Sequence, residues 1–258
     1  MKTIMMFLGL LTIALGGVAG DYYYLVPAAA HVSGAYDTNW RTDVLIYNNF
    51  TAQTKYDLML LKENADNTDP QTVTQFTTDG LTGEMPWNDI LWDRFQYEGA
   101  GAVLVKCYDC VRNSMMVSSR TYNDLRPEGK GTYGQFVAGF AQEDLLTTNQ
   151  LGKIMGIYRD TQYHNFRNNL GIASMSPNAI GVTVQIWDQM HHLAVNVTQA
   201  VPPYGWVQIN DIMAQTTDTD AEYCYANVWS ETPGAVFMAY VSVVDNTSGD
   251  AIFVPARR

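Results

Sequence analysis

Asn39–Asn48 reads NWRTDVLIYN, and Asn165–Ser174 reads NFRNNLGIAS. Both start Asn-aromatic-Arg, pass two polar residues and run into an alternating apolar stretch. The alignment continues: Tyr56, Leu58 and Leu60 fall on Val182, Val184 and Ile186. Apolar residues at every second position are the period of a half-buried strand. Farther on, WNDIL (Trp87–Leu91) matches INDIM (Ile209–Met213) in a slightly shorter register. The shortening falls between KENADNTDP (Lys62–Pro70) and DQMHH (Asp188–His192), which read as hairpin loops. Loops absorb length changes that strands do not.

Each copy then offers two more strands, GAVLVKCYD with SMMVSSRTYND, and AEYCYANVW with AVFMAYVSVVDN. Short closing strands follow, FVAG (Phe136–Gly139) and FVPA (Phe253–Ala256), and a third version, LVPA (Leu25–Ala28), comes early in the chain. Two stretches could be short helices: Asp89–Phe95 after Asn88 as N-cap, and Leu145–Met155 between the copies. Strands separated by turn signals at this spacing predict an antiparallel sandwich. Immunoglobulin-like sandwiches need about 100 residues. The expected fold is therefore all-β: two tandem immunoglobulin-like antiparallel β-sandwich modules from an internal duplication. The expected boundaries are an export signal over 1–20, module one over 21–135 and module two over 136–258.

FRNNLG (Phe166–Gly171), PPYGW (Pro202–Trp206) and SVVDNTSGDAIFVPA (Ser242–Ala256) resemble repeated secreted β-sandwich modules of environmental bacteria. HVSGAYDTNWRTDVLIYN and SSRTYND in the first copy resemble the same modules, so nearly all of 21–258 is covered. The resemblance implies the fold and export, and it supplies no catalytic residues. The first copy departs from it by lacking PPYGW.

MKTIMMFLGLLTIALGGVAG carries Lys2, an apolar run from Ile4 to Leu15, and small residues Val18 and Gly20 before Asp21. That is the form of a cleaved signal peptide, and the run is shorter than the ~20 residues a spanning helix needs. No second such run follows, so no membrane span is expected in the mature chain. The expected location is secreted, extracellular or at the cell surface, with the periplasm as the alternative. Charged residues make up 16% of the chain, against 16 Tyr and 6 Trp, and the net charge is −11. Such an acidic chain without a basic stripe repels phosphate backbones, which excludes nucleic acid and anionic membrane surfaces.

Arg41 and Arg167 recur at one place in each copy, as do Asp89 and Asp211. Each Arg is expected to pair with the Asp of its own copy, since a planar guanidinium suits a carboxylate and partly buried arginines are normally paired. Cys107 and Cys110 form a C-x-x-C at a strand end, read as a local disulfide or as free thiols; Cys224 is the odd one out. No metal site is expected: His191 and His192 read as a hairpin tip. The oxygen-rich loops around Asp66 and Asp69, Asp218 and Asp220, and Asp245 and Asp250 lack the spacing of a defined calcium loop, so calcium is only an alternative to turn chemistry. Tyr22, Tyr23, Tyr24, Tyr204 and Trp206 are the candidates for a sugar platform, weighed against ordinary core packing.

With no hydrolase or phosphate-binding motif in the chain, the expected function is a non-catalytic extracellular structural or binding protein. One version assembles with itself by exchanging the terminal strand YYYLVPAAA at a sheet edge. The alternatives are a carbohydrate-binding module pair that uses exposed Tyr and Trp on an extracellular glycan, and a glycoside hydrolase whose acid pair lines a cleft between the modules.

Overall fold

The computed structural model describes residues 20–83, 86–218 and 220–258. The export signal expected over 1–20 lies outside them except for Gly20. The described chain is an all-β sandwich protein built of antiparallel sheets.

In the first half, β4 (Gln71–Thr78), β3 (Thr54–Lys62), β5 (Gly99–Cys110) and β1 (Gly20–Ser33) form one sheet in that order. β1 then bends, and Val32 and Ser33 pair with Trp40 and Asn39. This carries the hydrogen bonding into a second layer of β2 (Asn39–Asn48), β6 (Met115–Asp124) and β7 (Thr132–Ala138). The two-residue β8 (Phe140–Ala141) adds to β1. In the second half, β13 (Leu193–Val201), β12 (Ile180–Trp187), β15 (Tyr223–Trp229) and β10 (Gly152–Tyr158) form one sheet. The other is β14 (Trp206–Ile209), β11 (Phe166–Ser174), β16 (Val236–Asp245) and β17 (Ala251–Pro255), with β9 (Leu146–Thr147) on β16.

Apart from β8, β9 and β14, the strand orders of the two halves correspond, β4-β3-β5-β1 with β13-β12-β15-β10 and β2-β6-β7 with β11-β16-β17, and β2 and β11 carry the two Asn-aromatic-Arg motifs. The α-helix among the described residues, α1 (Ile90–Phe95), and the 3-10 turn Ile212–Gln215 also correspond. Each is entered through an aspartate in the left-handed region, Asp89 at φ 44° and Asp211 at φ 41°. Asp89, not Asn88, occupies the cap position of α1, and its carboxylate makes no cap hydrogen bond. Leu145–Met155 is not a helix. It holds β9 and the start of β10, where Ile154 turns into the core and Met155 to solvent. β7 crosses the boundary expected at 135/136.

Each half has its own apolar filling. Val26, Val44, Ile46, Leu58, Leu60, Val103 and Val105 belong to the first core. Ile172, Val182, Val184, Ile186, Val228 and Val241 belong to the second. A third cluster joins the halves: Leu25, Leu61, Ala102 and Leu104 from the first sheet meet Ala173, Trp206, Met238 and Tyr240 from the second half. Neighbours along a strand therefore serve different cores. Leu60 faces inward and Leu61 faces the other half, as do Val103 and Leu104, and Val241 and Tyr240. A strand covered on both faces reads as a continuous apolar run instead of an alternating one, which accounts for LVPAAA, GAVLV and AVFMAYVSVV.

PPYGW belongs to this joint. The N–H groups of Asn64 and Asn67 donate to the carbonyls of Trp206 and Pro203, and the Asn67 amide donates to the Tyr204 carbonyl. The Trp206 indole N–H donates to the Pro27 carbonyl at 2.7 Å. Gly171 has its own reason: it lies opposite Tyr240, and a Cβ there would come 2.1 Å from the Tyr240 ring.

Candidate functional site

Where the halves meet, a cleft of about 820 Å3 opens, lined by residues of both. That lies within the range of ligand pockets, roughly 300–1,000 Å3. A smaller cavity of about 100 Å3 shares Trp40, Ala100, Asn169 and Gln208 with it and reaches inward to Trp206 and Tyr240.

The repeated motif itself supplies much of the wall. Trp40 on β2 and Phe166 on β11 are the two aromatic positions of the motif, and both are half-buried in the cleft. The turn between β1 and β2 passes through left-handed Tyr36 and Asp37, and Tyr36, 64% exposed, lines the cleft. Side-chain amides complete the polar lining. Gln208 donates to Asn210 at 2.7 Å, and Asn169 accepts the Asp211 N–H at 3.1 Å. From the first half, Glu63 follows β3 and lines the cleft; burial pushes its carboxyl above the usual range. Burial and the nearby Glu63 charge push up the Tyr97 hydroxyl as well.

The two repeated arginines have different surroundings. Arg41 Nε lies 3.4 Å from Asp89 Oδ2, and His31 Nδ1 reaches the same oxygen at 2.8 Å. Arg167 lines the cleft at 8% exposure, and among the described residues no ion pair joins it to Asp211. Its Nη1 donates to Asn246 Oδ1 at 2.6 Å, and its guanidinium sits 5.4 Å from the Tyr36 ring centre. Asp211 Oδ1 accepts the Asn168 N–H at 3.2 Å instead. Burial lowers the pKa of Arg167, opposed by Tyr36 and by the charges of Asp211 and Asp245.

The aromatics singled out as a sugar platform are not one. Tyr22, Tyr24 and Trp206 are buried, at 5%, 3% and 2% exposure. Tyr23 and Tyr204 pack half-buried against the joint and line a separate cavity of about 260 Å3. β1 alternates, so Tyr22 and Tyr24 fill the first core, and Tyr22 donates its hydroxyl to Glu143. β1 also pairs with β5, β8 and β2 of its own chain, so exchange of this strand would require it to leave its own sheet.

Cys107 and Cys110 are joined in a disulfide. Cys224 is free and buried, and desolvation pushes its thiol up to about 11. In the oxygen-rich loops, Asp66, Asp218 and Asp245 each accept the N–H two residues ahead, which is turn chemistry. Asp188, His192 and Asp218 bring ligand atoms within 4.8 Å of one another. The Asp188 carboxylate is occupied by the N–H groups of Met190 and His192 and by the His192 ring.

Trp40, Phe166 and Arg167 were visible in sequence only as parts of the repeat; nothing in their spacing shows that the motif faces a cleft. Chemically the lining combines flat rings, which stack on apolar faces, with planar amides and guanidinium groups, which bond hydroxyls and carboxylates. No protein-family model matches this chain, and no curated protein matches it significantly. No described helix is long and apolar enough to cross a membrane.

Proposed function

We propose that this chain is an exported, non-catalytic binding protein whose cleft between two duplicated β-sandwich halves takes a carbohydrate. The observation that carries the reading is the cleft lining: the Trp40, Tyr36 and Phe166 rings beside the amides of Asn169, Gln208, Asn210 and Asn246. A sugar ring has an apolar face for the aromatics and a rim of hydroxyls for the amides. Common descent of the halves is supported by the aligned motifs and the matching strand orders. The export signal read from residues 1–20 supports an extracellular or cell-surface setting.

Isothermal titration with a panel of neutral and acidic oligosaccharides tests this. Binding to at least one of them should weaken about tenfold in Trp40→Ala, about 1.4 kcal/mol, the upper end of what a ring contact is worth. Absence of binding across the panel, or binding untouched by Trp40→Ala, would reject the cleft as a sugar site.

Glu63 favours a second reading, a glycoside hydrolase. Burial raises the pKa of its carboxyl, the direction a general acid needs, and Asp211 also lines the cleft to serve as its partner. Release of reducing ends from the bound sugar, lost in both Glu63→Gln and Asp211→Asn, would establish it; prolonged incubation without release would dismiss it.

A further inference from the structure

From the surroundings of Arg167 we infer that the ligand of the cleft is an anionic saccharide whose carboxylate docks on Arg167. This rests on the carbohydrate reading above and narrows it to a substrate class. The argument compares one position in the two halves. Arg41 and Arg167 occupy the same place in the repeated motif, on β2 and β11. Arg41, away from the cleft lining, has the Asp89 carboxylate at 3.4 Å. Arg167, in the lining and more deeply buried, has two neutral partners, the Asn246 amide oxygen and the Tyr36 ring. Its repeat-matched carboxylate, Asp211, is held by the Asn168 N–H.

A buried guanidinium without a counter-ion is costly, and such a charge is normally paired. Asn246 and Tyr36 orient it, and the charges of Asp211 and Asp245 reach it through space, but among the described residues no carboxylate lies at ion-pair distance from it. Arg159 adds a second cation to the same lining, and its Nη1 is bonded to a carbonyl, that of Asp218, at 3.0 Å. Among the described residues neither arginine is in an ion pair. In a chain of net charge −11, the cleft thus holds two cations with no carboxylate at ion-pair distance. Glu63 and Asp211 also line the cleft, so the attraction an acidic ligand meets there is local to the two guanidinium groups. A guanidinium fork donates two parallel N–H···O bonds to a carboxylate. The sugar ring then lies toward Trp40, and the amides of Asn169 and Gln208 face its hydroxyls.

The test uses the full mature chain, trigalacturonate, and its methyl ester, which has the same shape without the charge. Titration calorimetry at moderate salt should show the acid binding about tenfold or more tightly than the ester, the scale of one charge-assisted hydrogen bond. Arg167→Met should abolish that preference while ester binding persists, and Arg167→Lys, which keeps the charge without the fork, should retain part of it. If Arg167→Met does not fold, Arg159→Gln provides the second reading and should reduce the preference about threefold, as removal of a more exposed cation would. Equal affinity for acid and ester, a preference that survives in both variants, or no binding of either compound would each overturn the inference. Neutral sugars binding in a Trp40-dependent way would then leave the broader carbohydrate reading standing.

Discussion

Replacing Trp206 with alanine should damage the joint between the halves more than either half. The side chain is 2% exposed and sits in the third cluster with Leu25, Ala173, Met238 and Tyr240. Deleting a buried tryptophan costs about 3–5 kcal/mol from lost transfer energy and the cavity left behind. The Pro27 carbonyl also loses its indole donor at 2.7 Å, and a buried acceptor without a partner costs about 1–3 kcal/mol. The terms overlap, so a loss of about 4–6 kcal/mol is expected, a large share of the 5–15 kcal/mol typical of native proteins. Urea unfolding followed by far-UV circular dichroism and by tryptophan fluorescence is the assay. Neither half's own core contains Trp206, so the variant should unfold in two steps where the wild type unfolds in one. Trp206→Phe should keep most of the packing and lose only the hydrogen bond, at about 1–3 kcal/mol. A cost under about 1 kcal/mol for Trp206→Ala would refute the joint as a packed core.

Four further outcomes are expected. Arg41→Met should lower stability by about 1 kcal/mol, because the Asp89 pair is partly exposed and Asp89 keeps His31; an unchanged melting temperature would remove the structural role of this pair. Glu63→Gln should raise the melting temperature near neutral pH. The Glu63 carboxyl titrates above its ordinary 4.5 in the folded state, so the folded form disfavours the charge and stability is lost as pH rises through the folded value; the gain should vanish below pH ~4.5, and a gain that grew on acidification would contradict the sign. Thiol titration should find one reactive group only after unfolding, since Cys224 is buried with its thiol at about 11. Reduction of the Cys107–Cys110 disulfide should cost about 2 kcal/mol, because the loop it closes is short.

The repeat made the sandwich legible. Tyr56, Leu58 and Leu60 and their partners Val182, Val184 and Ile186 are all fully buried, and their period of two set both strand and face. What the alternation rule could not give was the second face. Leu25, Leu61, Leu104 and Tyr240 break the alternation because another sheet covers them, and a single strand carries no information about what lies beyond it. The same blindness misplaced the aromatics. Tyr22, Tyr24 and Trp206 are rings that a core and a joint needed, while the rings that reach the cleft, Trp40 and Phe166, sat inside the motif read as scaffold. Arg41 and Arg167 are indistinguishable in one dimension. Their difference arises from whether the local Asp turns to the guanidinium or to a backbone N–H, and a tertiary neighbour such as His31 takes part in that choice.

A crystal structure of the protein with a bound acidic oligosaccharide tests the central claim most directly. The account predicts a sugar ring against Trp40, with its carboxylate on the Arg167 guanidinium and Tyr36 closing the rim. Sugar found only on the outer sheet faces, around exposed Phe136 or Tyr223, with the cleft holding none, would contradict it.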